Sequence, residues 1–201
     1  MKISRVLLAT ASASVLLGAL ASCASARGFS LSNQSMRATF TSVEITIFEE
    51  VRCQLTLEGS FHSRTIAKVA RSLIGYITRA VVGPCNGTTA TILRETLPWH
   101  VRYQGFLGAL PDITSITTHV IGAGLRLGGF GFACLVGTTE AEPGILTYDR
   151  NNTTREITEA RISGRIRTGG ECFRITGSFG SDPAPVSLLG TSSTRIAVTL
   201  I

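Results

Sequence analysis

Three histidines and a run of arginines are the residues of this sequence best suited to chemistry. Glu58, Ser60 and His62 stand at alternate positions, so an extended chain places them on one face. An imidazole near a carboxylate and a hydroxyl is the raw material of general-base and nucleophilic catalysis. On a strand, however, side chains at i and i+2 run parallel, about 7 Å apart at ~3.3 Å rise per residue. Sharing a face is therefore not contact. His100 falls on the wet phase of its own alternation, and His119, just ahead of the run from Ile121, is open to the inward face. No G-x-S-x-G elbow or other nucleophile signature accompanies them. Solvated surface histidines are the simpler reading. A secreted hydrolase using His62 or His100 with nearby carboxylates is the alternative.

The arginines are more suggestive. Arg161, Arg165 and Arg167 alternate with Ile162, Gly164 and Ile166, and a tight turn near Gly169-Gly170 would bring Arg174 alongside. Neighbouring like charges on a sheet face repel. Two readings follow: neutralisation by Glu156, Glu159 and Glu171 on a solvated face, or engagement of an anionic partner such as an envelope polymer, a glycan or a lipid head group. Gly122, Gly124, Gly128, Gly129 and Gly131 invite a phosphate-loop reading that fails on context. A dinucleotide fingerprint opens a helix, whereas these glycines lie in alternating β sequence and read as bulges, bends or close sheet packing. Trp99 and Tyr103 share the phase of Val101, which assigns them to a core rather than a sugar platform. Nothing in the sequence calls for a cofactor or a metal: the cysteines are far apart, with no C-x-x-C or paired histidines.

The elements that must position these residues read as strands. From Cys53 the odd positions are Cys53, Leu55, Leu57, Gly59 and Phe61, against Gln54, Thr56, Glu58, Ser60 and His62. Similar alternations cover Val43–Ile47, Trp99–Gln104, Ile121–Leu127, Arg161–Arg167 and Phe173–Phe179, and the chain ends in another β-rich run from Arg195. Turn signals separate them. Short strands so spaced predict an all-β fold, an antiparallel sandwich or barrel. Residues 64–81 are ambiguous. Ile66, Val69, Leu73, Ile77 and Ala80 have helical spacing, while Gly75 and the β-branched Ile74, Thr78, Val81 and Val82 favour two strands around a turn at 70–72.

The first 26 residues carry a positive start at Lys2 and Arg5, an apolar stretch from Val6 to Leu20, and small residues beyond. This is the layout of a secretory signal peptide. Cleavage after Ala24-Ser25-Ala26 would leave 27–201 as one all-β domain. Leu20-Ala21-Ser22-Cys23 resembles a bacterial lipobox instead. In that case the leader is 1–22, Cys23 is the lipidation candidate, and a lipid anchor is the membrane contact. Either route predicts a protein secreted or held at the envelope, on the outer side of the plasma membrane. Four cysteines then remain: Cys53, Cys85, Cys134 and Cys172. In an oxidising compartment they form disulfides. Of three connectivities, Cys53–Cys85 with Cys134–Cys172 closes the shorter loops. The formal charge is +6, and without Lys2 and Arg5 there are 17 basic against 13 acidic residues, or +4. That is far from the dense basic footprint of a nucleic-acid binder. The expected function is a non-catalytic envelope or extracellular protein with a binding or structural role, toward an anionic polymer or glycan.

The segments Thr56–Ser63, Leu73–Thr78 and Leu97–His100 resemble a group of uncharacterised exported proteins of high-GC actinobacteria. The resemblance implies a bacterial origin and brings no activity or site with it.

Overall fold

The computed structural model describes residues 28–129, 132–172, 175–191 and 193–201, with Phe132 described by its backbone alone. The leader with Cys23, and Arg174 of the arginine run, lie outside the described residues. Fifteen strands follow one another among those described: β1 (Gly28–Leu31), β2 (Ser35–Thr46), β3 (Glu50–Phe61), β4 (Thr65–Ala67), β5 (Leu73–Cys85), β6 (Thr89–Ile92), β7 (Trp99–Ala109), β8 (Asp112–Ile121), β9 (Gly124–Gly129), β10 (Phe132–Gly137), β11 (Gly144–Arg150), β12 (Glu156–Gly170), β13 (Thr176–Ser181), β14 (Ala184–Ser187) and β15 (Ile196–Leu200). A 3-10 turn, Arg94–Thr96, stands between β6 and β7.

Alternation of apolar and polar residues makes each long strand two-faced, and closing the sheet is what hides the apolar side. The strands β2, β3, β5, β7, β8, β11, β12 and β13 pair antiparallel in chain order, and β13 returns to β2. The ring is an up-and-down barrel, an arrangement that leaves its strands no free edge. β14 prolongs β13 between the same two neighbours. Phe40, Leu57, Ile77, Val101, Val120 and Leu146 fill the interior and are essentially sealed from solvent. Burying each contributes about 1.5–3 kcal/mol. Trp99 and Tyr103 are buried with them. The Tyr148 hydroxyl donates to Met36 Sδ at 3.3 Å, tying β11 to β2.

The two ends of the barrel are closed differently. At one, Arg150 is buried and donates from Nε to the Val198 carbonyl (3.1 Å) and from Nη1 to the Ile113 carbonyl (3.1 Å) and Asn152 Oδ1 (2.9 Å). At the other, β6, β9 and β10 form a flap that joins the last residues of β12. There β12 changes partner on one edge, from β11 at Gly164 to β10 at Arg167. Gly164 allows this: its φ is 154°, and a Cβ would lie 3.0 Å from both the Pro143 carbonyl and the Phe179 ring. A void of about 50 Å³ remains in the lumen beneath the flap, lined by Trp99, Val120, Ile162 and Phe179 among others. An apolar cavity that takes up benzene has about 150 Å³. The lumen is therefore a packed core.

Residues 64–81 form no helix. β4 and the start of β5 flank a turn at Ala70–Arg71. The β-branched Ile74 and Ile77 are buried in the barrel wall, where a pleated strand suits them. The alternation from Ile121 to Leu127 is not one strand either. Gly122, at φ 83°, ends β8 and starts β9 in a new direction. The glycines beyond serve close packing: a Cβ on Gly124 would lie 2.7 Å from the Thr96 methyl, and one on Gly129 2.8 Å from the Thr88 hydroxyl.

Cys53 is bonded to Cys85, directly opposite it across β3 and β5, and Cys134 to Cys172, holding the flap to the turn after β12. The loops span 32 and 38 residues. Each bond adds about 3–4 kcal/mol in the chain-entropy model. Two such bonds suit an oxidising compartment.

Candidate functional site

Of the residues singled out for chemistry, the described ones, Glu58, Ser60, His62, His100, His119, Arg161, Arg165 and Arg167, lie on the outside of the barrel. Ser60 is half-buried opposite Tyr76, and Glu58 is buried between two arginines. Arg37 Nη2 lies 2.7 Å from Glu58 Oε1, and Arg79 Nη1 3.2 Å from Oε2. Burial alone would push the Glu58 carboxyl up, but the hydrogen bonds and charges of Arg37 and Arg79 hold it below its ordinary value. The carboxylate sharing a face with His62 is thus committed to a salt bridge. His62 packs instead against Tyr76, whose far side meets His100. The ring centroids are 4.9 Å and 5.5 Å apart.

Arg161, Arg165 and Arg167 are exposed on the outer face of β12. Their counterions are the expected set only at Glu159. Arg161 is hydrogen-bonded to Asp149 of β11 and lies 4.0 Å from Glu159. Arg167 Nε donates to Glu142 Oε2 at 2.9 Å. The Glu171 carboxylate accepts from the Ala133 amide. Arg165 has no ion-pair partner among the described residues. Register explains the substitution of partners: strands bring together side chains distant in sequence, so Asp149 and Glu142 reach the stripe while Glu171 turns away.

A second basic group, of which the sequence singled out only His119 and left it open to the inward face, forms a pocket on the outside of the barrel. On β7 the phase that buries Trp99, Val101 and Tyr103 turns His100, Arg102 and Gln104 outward. His119 of β8 stands opposite Arg102 in register. It faces out, since Thr118 and Val120 take the interior positions. The turn before β5 adds Arg71, whose amide donates to the Tyr103 carbonyl at 2.7 Å, while the Tyr103 amide donates to the Ser72 carbonyl at 2.9 Å. These bonds hold Arg71 at φ 66°, a conformation that costs a side-chain-bearing residue about 1 kcal/mol or more. The connection from β10 to β11 closes the pocket with Glu140 and Pro143, leaving a volume of about 280 Å³.

Arg102 Nη2 lies 2.8 Å from Glu140 Oε1. Its Nε is shut off from solvent and has no hydrogen-bond partner among the described residues. Such an unmet donor costs on the order of 1–3 kcal/mol. Burial and the charge of Arg71 hold the His119 imidazole below its ordinary value, so it is neutral at pH 7. Two guanidiniums against one carboxylate leave the pocket net positive. Its chemistry is the reception of an oxyanion, with a guanidinium fork and a histidine that can charge in response. Among the described residues, no group of three or more His, Cys, Asp or Glu is placed to hold a metal ion.

Comparison with protein-family models finds no family that matches the chain, and comparison with curated proteins and solved structures finds no match. The functional reading rests on the site itself.

Proposed function

We propose that this chain is an exported, non-catalytic binding protein that takes the anionic groups of an envelope polymer or glycan on the outside of its barrel. The observation that carries the reading is Arg102: a guanidinium with one edge on Glu140 and a shielded, unmet Nε–H, set beside Arg71 and His119 in an open pocket. A carboxylate, sulfate or phosphate that displaces the exposed Glu140 side chain takes the solvent-facing edge of Arg102, with Arg71 and His119 beside it. Arg161 and Arg167 of β12 are paired with Asp149 and Glu142 and stand exposed on a strand face, where an anion is held by one guanidinium at a time and is well screened. Arg165, three strands further round the barrel wall, adds to the basic outer surface, which suits a polymer carrying repeated charges. Export is supported by the signal-like leader and by the two disulfides. Intact mass of the exported protein distinguishes cleavage after Ala26 from acylation at Cys23.

The test is titration of the exported protein with sulfate, a probe whose charge is constant near neutrality. Saturable binding in the millimolar range is expected, with the Arg102 Nε–H and His119 resonances shifting together. R102A weakens it at least tenfold, a loss of about 1.4 kcal/mol or more. Unsaturable binding that R102A leaves alone overturns the proposal.

A further inference from the structure

The pocket does not stand alone on its face. His100 and Arg102 both point outward from β7, two residues and so about 7 Å apart. Tyr76 of β5 lies opposite His100 in register, and His62 follows Tyr76. A ridge of three rings therefore crosses the outer wall and ends beside the anion pocket. His62 and His100 are exposed, and Tyr76 is half-buried. Aromatic bodies with polar tips suit surfaces where one side of a ligand is apolar and the other wet. Gln104, two residues beyond Arg102, puts an amide on the pocket's other flank.

The pocket already holds one carboxylate. Glu140 reaches Arg102 from a flexible side chain that is 68% exposed, against 30% for Arg102. A planar carboxylate therefore fits here, and an external one that displaces Glu140 takes its place on the Arg102 tip, with the Arg71 guanidinium lining the same pocket. A sugar carrying a carboxylate combines the two requirements: an acid group for the guanidinium and a C–H face for the rings one strand step away. We infer that the site recognises uronic-acid residues of a glycan, with the carboxylate on Arg102 and Arg71 and the sugar ring against His100 and Tyr76. This rests on the proposed function, since it assumes that the pocket receives an anion.

The experiment titrates the exported protein with tetragalacturonate, with its fully methyl-esterified form, and with sulfate. Tetragalacturonate is expected to bind at least tenfold more tightly than either of the others. H100A and Y76A are each expected to lower the ratio of tetragalacturonate to sulfate affinity about tenfold. H100A changes an exposed side chain, so its fold is secure even where Y76A lowers stability, and thermal melting of both checks this. If sulfate binds in an Arg102-dependent way but tetragalacturonate has no advantage, or the ratio is the same in H100A as in wild type, the uronate inference is overturned and the anion pocket stands. If sulfate does not bind at all, the pocket itself falls and the inference with it.

Discussion

The arginines of β12 and those of the Arg71–Arg102 pocket occupy one outer face, yet they meet carboxylates differently. On β12, Asp149 and Glu142 arrive from a neighbouring strand and loop and settle on Arg161 and Arg167, whose guanidiniums are about half exposed or more. In the pocket, Glu140 reaches only the tip of Arg102, while the Nε edge is covered by protein and left unmet. Exposed pairs of the first kind are worth about 0–1 kcal/mol, because water and side-chain entropy offset the attraction. A half-met guanidinium in a concave, partly dry setting is a stronger seat, since each new hydrogen bond to it is charge-assisted and less screened. Charge counted along the sequence points to β12. Partnering in space points to β7 and β8. One connection, Thr138–Pro143, serves both regions, because Glu140 and Glu142 lean to opposite sides of it.

The largest effect is expected at that shared connection. Glu140 is an internal competitor for the pocket, so E140Q should raise sulfate affinity about fivefold, near 1 kcal/mol. E142Q should change it less than twofold. Equal effects, measured by calorimetric titration, would mean that the two carboxylates act only through the general field of the face.

Acidity probes the same contrast from the histidine side. Burial, then the charge of Arg71, depresses the His119 pKa in the free protein, and a bound anion favours the protonated ring. Sulfate affinity should therefore rise as pH falls below the ordinary histidine value of about 6.5, by about threefold between pH 7 and pH 5. H119Q should flatten that profile. A profile equally steep in H119Q would remove His119 from the site.

The smallest effect belongs to β12. A double-mutant cycle on Arg167 and Glu142, read by denaturant unfolding, should give a coupling below about 1 kcal/mol that vanishes in high salt. A coupling of several kcal/mol would show that the stripe is structural, and would undo the distinction drawn between the two regions.

Much of the fold was legible because period-two alternation reports which side of a strand is dry. The burial of Trp99 and Tyr103, the exposure of His62 and His100, and the outward face of Arg161, Arg165 and Arg167 all follow from local phase. The disulfide pairing was readable from loop length, and Cys53 and Cys85 turn out to be register partners. Helical spacing at 64–81 misled in part, since apolar residues three or four apart also occur when a turn lies between two strands. The break at Gly122 was hidden for a related reason: alternation continues across a tight turn and does not show where direction changes.

Strand content, the dry and wet faces, the pairing chemistry of four cysteines and the signal-like character of the first residues can all be read along the chain. Each depends on neighbours a few positions apart or on simple composition. Only the tertiary structure decided that the sheet closes into a barrel, that Asp149 and Glu142 neutralise β12, and that Arg71, Arg102, His119 and Glu140 share a pocket. Register between strands is a long-range property, and Arg71 and Glu140 come to Arg102 from opposite directions along the chain because the β5–β7–β8–β11 pairings set them beside one wall.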